Sequence, residues 1–266
     1  MKYPYLAIVA MLGLATGAHA LPQALIQGGF MVGEVGKDEH VLYQGQKVPL
    51  MQGGRFILGF GRDAAPEQTY QVCIQQACQS QTLLIEPRTY QTQAIKGVAK
   101  KHVNPDPKQV ARAAKDNKAI AKARAARSAD DFVSGLFIKP VQEKYVRTGV
   151  YGSARTYNGE VRNWHKGLDF AAPTGTPVVA PAGGTVRLAR DTFFNGNLII
   201  LDHGGKLFTI YAHLDKMDVK EGDKVKAKDK IGAIGTTGRS TGPHLHWGVY
   251  WGNEALDPAL FLVATE

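Results

Sequence analysis

From residue 21 to about 95 the chain reads as short runs in which apolar positions alternate with polar ones. Phe30 and Val32 alternate with glycine and polar neighbours. Arg55-Phe56-Ile57-Leu58-Gly59-Phe60, Tyr70-Gln71-Val72-Cys73 and Thr82-Leu83-Leu84-Ile85 have the length and composition of strands. Gly53-Gly54 and Pro66 punctuate them. The pattern predicts a small β-sandwich-like domain over 21–95. It holds no paired carboxylates, no histidine cluster and no phosphate loop.

The pattern changes abruptly after residue 96. Asp106-Pro107 makes a helix start, and alanine, lysine and arginine then dominate to Phe132 with no glycine or proline. This predicts a connecting helix within a basic linker, 96–135. Its apolar positions are mostly alanine, so weak packing is expected. From about Leu136 the strand pattern returns and continues to Phe261. Pro177-Val178-Val179-Ala180, Gly184-Thr185-Val186, Leu198-Ile199-Ile200-Leu201 and Phe208-Thr209-Ile210-Tyr211 are separated by glycine-rich turns. The fold class is therefore mainly β: the N-terminal β domain, a basic helix and a C-terminal antiparallel sheet domain over 136–262.

The first twenty residues belong to neither domain. Lys2 precedes an apolar run from Leu6 to Leu14, and Ala18-His19-Ala20 is a small-x-small cleavage site. This reads as a secretory signal peptide, cleaved after Ala20. The run is shorter than the ~20 residues of a spanning helix. A periplasmic or secreted location is expected, with no stable membrane insertion after cleavage. In an oxidising compartment the Cys73-x4-Cys78 pair is a candidate local disulfide.

Composition adds limits. A hydrophobic fraction of 44% supports a real core, and 21% charged residues is too few for a disordered polyelectrolyte. Two cysteines exclude a disulfide scaffold and a cysteine-built zinc site. The net charge is +9, and Lys96–Arg127 holds ten basic and two acidic side chains, hence eight of those nine charges. Such a patch suits an anionic surface or wall polymer, or serves only as a solvated spacer. No nucleic-acid partner is expected, and protein partners are not indicated.

Chemistry concentrates in the C-terminal domain, which holds five of the eight histidines: His165, His203, His213, His244 and His246. Residues two apart in a strand face the same way, so His244 and His246 share a face, roughly 7 Å apart along the backbone. Tyr211 and His213 share one by the same rule. His165 and Asp169 would be ~13 Å apart if extended, and Gly167 permits a kink that brings them together. Two histidines and one carboxylate suit Zn²⁺ with an open fourth position. Two remaining imidazoles suit proton transfer and oxyanion stabilisation. His203, in a turn, reads as structural.

Together, His165-x-x-x-Asp169, Tyr211-Ala212-His213-Leu214 and Ser240-Thr241-Gly242-Pro243-His244-Leu245-His246 resemble the lysostaphin/LytM-type zinc metallopeptidases. The similarity takes in Ala172–Val178 and Val219-x-x-Gly222-x-x-Val225, and runs from about Phe137 to Phe261. The N-terminal part resembles the small β domain that precedes this domain in some Gram-negative members. The resemblance implies one zinc per chain on His165, Asp169 and His246, catalytic imidazoles at His213 and His244, and a curved antiparallel sheet with an open groove. It implies a peptidoglycan endopeptidase. The alternative is a non-hydrolytic regulator of a cell-wall amidase on the same fold. Val219–Val225 with Lys230-Ile231-Gly232 also resembles the turn pattern of lipoyl carrier domains, but a secreted chain would not meet a cytoplasmic ligase.

Overall fold

The computed structural model describes residues 23–126 and 135–263. The leader expected over 1–20 and the end of the alanine-rich run lie outside them. The N-terminal part contains β1 (Phe30–Glu34), β2 (Glu39–Tyr43), β3 (Gln46–Lys47), β4 (Arg55–Gly59), β5 (Glu67–Ile74) and β6 (Ala77–Leu84). β1 pairs antiparallel with β4, and a second sheet has the order β3-β2-β5-β6. Cys73 and Cys78 face each other across the β5–β6 hairpin and form a disulfide, with Cα atoms 4.0 Å apart.

Next come β7 (Thr92–Ile95), α1 (Lys100–Val103) and α2 (Pro107–Arg124). Asp106 caps α2 and Gln109 completes a capping box, which satisfies the first free N–H groups of the helix. The weak packing expected from an alanine-rich sequence is not what is found. Ala113, Ile120 and Ala123 are buried, and the Asp116 carboxylate accepts a 2.8 Å hydrogen bond from Phe193 N. Small side chains let the helix approach the C-terminal sheet closely, and one isoleucine and one buried carboxylate fix its position. The lysines point the other way: Lys108, Lys115, Lys118 and Lys122 are exposed.

The C-terminal part contains β8 (Val146–Gly149), β9 (Ala154–Tyr157), β10 (Glu160–Arg162), β11 (Leu168–Ala171), β12 (Pro177–Val179), β13 (Gly184–Thr192) and β14 (Gly196–Asp202). It continues with β15 (Leu207–Met217), β16 (Lys224–Val225), β17 (Lys230–Ile234), β18 (His244–Trp251) and β19 (Glu254–Leu256). A ten-stranded sheet has the main order β16-β13-β14-β15-β18-β11-β8, with β12, β17 and β19 attached beside it. β7 adds in parallel to β9 in a separate three-stranded sheet, β10-β9-β7.

Alternation along β18 shows why the sheet has two working faces. Leu245, Trp247, Val249 and Trp251 point into the main core, while Tyr250 joins a second cluster with Ile120 of α2. The main core also takes Phe30, Phe56 and Phe60 from the N-terminal strands, and Phe30 stacks on Phe261 at 4.2 Å. Each such side chain contributes about 1.5–3 kcal/mol on full burial. Gly59 sits where a Cβ would lie 2.6 Å from Trp251 Cβ, so only glycine permits this approach. The N-terminal strands thus cover one face of the large sheet. α2 and the β7-β9-β10 sheet flank the other.

Candidate metal centre and groove

The face flanked by α2 and the β7-β9-β10 sheet carries a cavity of about 710 Å³. β11 and β18 run antiparallel with Asp169 opposite His246 and Ala171 opposite His244. Leu168 and Phe170 point into the core, so alternation turns Asp169 to the cavity. His165 lies before β11 and is drawn back beside Asp169. The conformational freedom expected of Gly167 is not the reason for that residue. A Cβ there would lie 2.4 Å from Trp247 O and 2.9 Å from His246 Cε1, so the chain passes β18 too closely for any side chain.

Three donor atoms converge. His165 Nε2 lies 2.9 Å from Asp169 Oδ1 and 2.9 Å from His246 Nδ1, and His246 Nδ1 lies 2.9 Å from the same oxygen. His165 Nδ1 lies 3.0 Å from Val150 O, a carbonyl that can only accept, so Nδ1 carries the proton and Nε2 presents a lone pair. His165 Nε2 and Asp169 Oδ1 both present lone pairs, so their 2.9 Å approach is unfavourable unless a cation lies between them, and His246 Nδ1 stands at the same distance to complete the set. The N,N,O set fits zinc, and the hydrogen bond to Val150 O orients the His165 ring in the way a metal-binding histidine needs.

The electrostatics agree. Burial alone would raise the Asp169 carboxyl, but the neighbouring imidazoles of His165 and His246 outweigh it and hold the group well below the usual carboxylate range. Burial pushes His246 down to about 4, which keeps its ring neutral at pH 7 and leaves one of its nitrogens able to bind a cation. Asp169 Oδ2 accepts a 2.7 Å bond from Arg155, whose Nε donates to Gln93 of β7 at 3.2 Å. Gly149 leaves space for this ion pair, since a Cβ there would lie 2.2 Å from Asp169 Oδ2.

His213 and His244 stand beside the trio, with ring centroids 4.8 Å apart. His213 Nδ1 donates to Thr237 O at 2.8 Å, and His244 Nδ1 donates to Gly242 O at 2.9 Å. Each ring is anchored through one nitrogen, and both line the cavity. Burial and the imidazoles of His244 and His246 hold His213 well below its ordinary value, so it is neutral at pH 7.

Tyr211 and His213 do not share a face, contrary to simple alternation. Tyr211 lies in the main core, with its hydroxyl 2.8 Å from Thr209 Oγ1. His213 lies in the cavity because its φ is +65°, in the left-handed region. The reason is a change of partner: β15 pairs with β18 through Ala212 and with β17 from Leu214 onward. The residue at the junction is twisted out of register. Strain of this kind costs of order 1–3 kcal/mol and is held in place by the surrounding sheet. His203 stays in the core, bonded at both ring nitrogens to Gly183 O and Thr209 Oγ1.

The sequence reading missed several residues of the groove. Arg155, Gln93 and Val150 meet the trio only through the fold, and no local pattern marks them. Asn117, Ile120 and Arg124 of α2 form one wall. Arg239 lies next to the motif beginning at Ser240 and could have been noticed as an arginine five residues before His244.

Comparison with known proteins places this geometry. Residues 163–258 match the model of peptidase family M23. A crystal structure assigned to peptidase M23 from Pseudomonas aeruginosa superposes with a TM-score of 0.72 at 29% identity, covering 91% of this chain and 96% of the other. Peptidoglycan DD-endopeptidase ShyA of Vibrio cholerae is 47% identical over 83 residues, 31% of this chain and 19% of that protein. DD-carboxypeptidase/endopeptidase Mpg of Neisseria meningitidis is 39% identical over 101 residues, 38% of this chain and 23% of that one. The chain thus covers less than a quarter of the length of these two curated relatives. Residues 163–258, which hold all five side chains of the cavity cluster, are a peptidase family M23 domain.

Proposed function

We propose that this protein is a zinc endopeptidase that hydrolyses peptide cross-links of peptidoglycan outside the cytoplasm. The carrying observation is the convergence of three atoms able to ligate a metal, each 2.9 Å from the others, beside two imidazoles anchored at Nδ1. The likeness of its M23 domain to proteins named peptidoglycan DD-endopeptidase and DD-carboxypeptidase/endopeptidase supports the substrate class. We further propose the division into a signal peptide, an N-terminal β domain, a basic helical segment and the peptidase domain.

His165 Nε2, Asp169 Oδ1 and His246 Nδ1 would hold the ion. Zinc held there supplies Lewis acidity, which makes water nucleophilic at neutral pH. Arg155 fixes the second oxygen of Asp169 and so leaves one oxygen for the ion. With Nδ1 of His213 and His244 donating to backbone carbonyls, each Nε2 carries a lone pair in the neutral ring. His244, at the start of β18 and two residues from His246, is assigned the proton from the attacking water. His213 is neutral in the resting site; as negative charge develops on the carbonyl oxygen it would take up a proton from solvent at Nε2 and donate it in a hydrogen bond to that oxygen. The hydrogen bond from Nδ1 to Thr237 O fixes the direction of the ring for that task.

The test is hydrolysis of purified sacculi by the zinc-loaded mature protein, with released fragments identified by mass spectrometry. New amino and carboxyl ends at cross-links support the reading. Intact cross-links with full zinc occupancy overturn it in favour of the non-hydrolytic regulator.

A further inference from the structure

The cavity is strongly basic. Arg124, Arg155, Arg162, Lys166 and Arg239 line it, while Asp169 is its single carboxylate among the described residues. That carboxylate is already shared by His165, His246 and Arg155. Arg162 pairs with Glu160 at 2.5 Å, and the Lys166 ammonium lies over the Trp164 ring at 5.4 Å. Arg239 differs from Arg155 and Arg162: among the described residues it has no carboxylate partner.

Arg239 is nonetheless held firmly. Its backbone N–H donates to Phe194 O at 2.8 Å. Gly238 before it packs so closely on the turn at 194–196 that a Cβ would lie 2.3 Å from Gly196 N. Its guanidinium lies 4.8 Å from the Tyr157 ring centre and 4.7 Å from that of Phe194. Stacking satisfies the faces of a guanidinium and leaves its N–H edge for an anion. A half-buried cation flanked by Arg155 and Arg162, with no counter-charge of its own, is an unfavourable arrangement that an incoming anion relieves. The side chain also lies five residues before His244 on the loop that leads into β18.

We infer that Arg239 receives a free carboxylate of the substrate peptide and so selects acidic peptides over their amidated counterparts. This rests on the endopeptidase reading and adds to it the recognised group. Stem peptides of peptidoglycan bear such carboxylates. Because the arginine is fixed in advance, little conformational freedom is lost when the anion binds.

The experiment compares two ligands with the zinc-loaded protein: an uncross-linked muropeptide with free carboxylates and the same molecule as carboxamides. Calorimetry gives affinities, and the corresponding cross-linked dimers give kcat and KM. A charge-assisted hydrogen bond predicts that the parent binds the acid about tenfold or more tightly. In Arg239→Gln that ratio should fall toward one, with the change in KM rather than kcat. Arg239→Lys keeps the charge without the planar edge and should lie between. Equal affinity for acid and amide in the parent overturns the inference. So does a parental ratio in Arg239→Gln, or equal loss of both ligands in both variants. If neither dimer is cleaved by the parent, the endopeptidase reading fails, while the calorimetric ratio still decides the role of Arg239.

Discussion

On the face of the ten-stranded sheet that meets the N-terminal strands, His203 is fully buried and uses both ring nitrogens, 2.6 Å from Gly183 O and 2.8 Å from Thr209 Oγ1. On the opposite face, His213 and His244 are each anchored through Nδ1 alone, and His165 and His246 turn one nitrogen each toward Asp169. Burial depresses His203 and His213 alike. His213 therefore differs from His203 not in desolvation but in an Nε2 that, like that of His244, has no hydrogen-bond partner among the described residues, while His165 and His246 turn a nitrogen to a carboxylate they share. The side with closed hydrogen bonds holds the sheet together. The side with open ones can bind a cation or a proton.

The sharpest way to break this contrast is to remove an open nitrogen from the trio. His246→Ala should lose both metal and activity, because only two of the three proposed zinc ligands would remain. Elemental analysis of the purified variant checks this, and full zinc occupancy would refute the ligand assignment. The next effect belongs to the neighbouring pair. His213→Ala and His244→Ala should keep zinc, while hydrolysis falls by roughly 10²-fold or more, the scale for losing a general base or oxyanion donor. Normal turnover in either variant would remove that residue from the mechanism.

Part of this contrast is legible in the sequence. Alternation places His244 and His246 on one face of β18 and puts Leu245 and Trp247 in the core, because β18 is a regular strand with the same register throughout. Alternation fails at His213, where a change of strand partner is absorbed by one left-handed residue. Nothing local to Tyr211-Ala212-His213-Leu214 encodes that, since it depends on where β17 lies. The position of α2 was equally hidden. Alanine-rich positions read as weak packing, yet small side chains are what allow the close approach, and the anchoring bond runs from Phe193 N to Asp116, 77 residues away. Arg155 reaches Asp169 from β9, which belongs to a sheet separate from the one that carries the carboxylate.

The closed face yields a smaller prediction, about stability rather than turnover. His203 has a folded pKa of about 4, below the ordinary 6.5, because burial disfavours its charged form. As pH falls the unfolded chain takes up this proton first. The stability from His203 is therefore complete above about pH 6.5 and is lost as pH falls to about 4, amounting to about 3 kcal/mol at 1.36 kcal/mol per unit. Asparagine can still donate to Gly183 O but does not titrate. Urea unfolding across this window should show parent and His203→Asn converging as pH falls, with zinc occupancy at pH 7 unchanged in the variant. Parallel curves would mean that His203 does not titrate on unfolding.

The smallest expected effect concerns the exposed side of α2, which flanks the open face. Lys108, Lys115, Lys118 and Lys122 project to solvent, while Asn117, Ile120 and Arg124 of the same helix line the cavity. Arg112 is engaged with Asp191 and is left out of the test. Exposed charges of one sign beside a groove attract an anionic polymer at long range without specific contacts. That attraction is screened over ~8 Å at physiological salt. Sedimentation with sacculi should therefore show binding that weakens steeply from low to high salt. Changing the four lysines to glutamine should flatten the slope by removing a sheet of charge, while leaving the cavity and its arginines in place. Cleavage of a small neutral peptide should stay within about twofold, because a ligand without charge gains nothing from the field. If the glutamine variant keeps the parental salt slope, the lysines serve solubility alone, and the attraction of this face resides in the groove arginines.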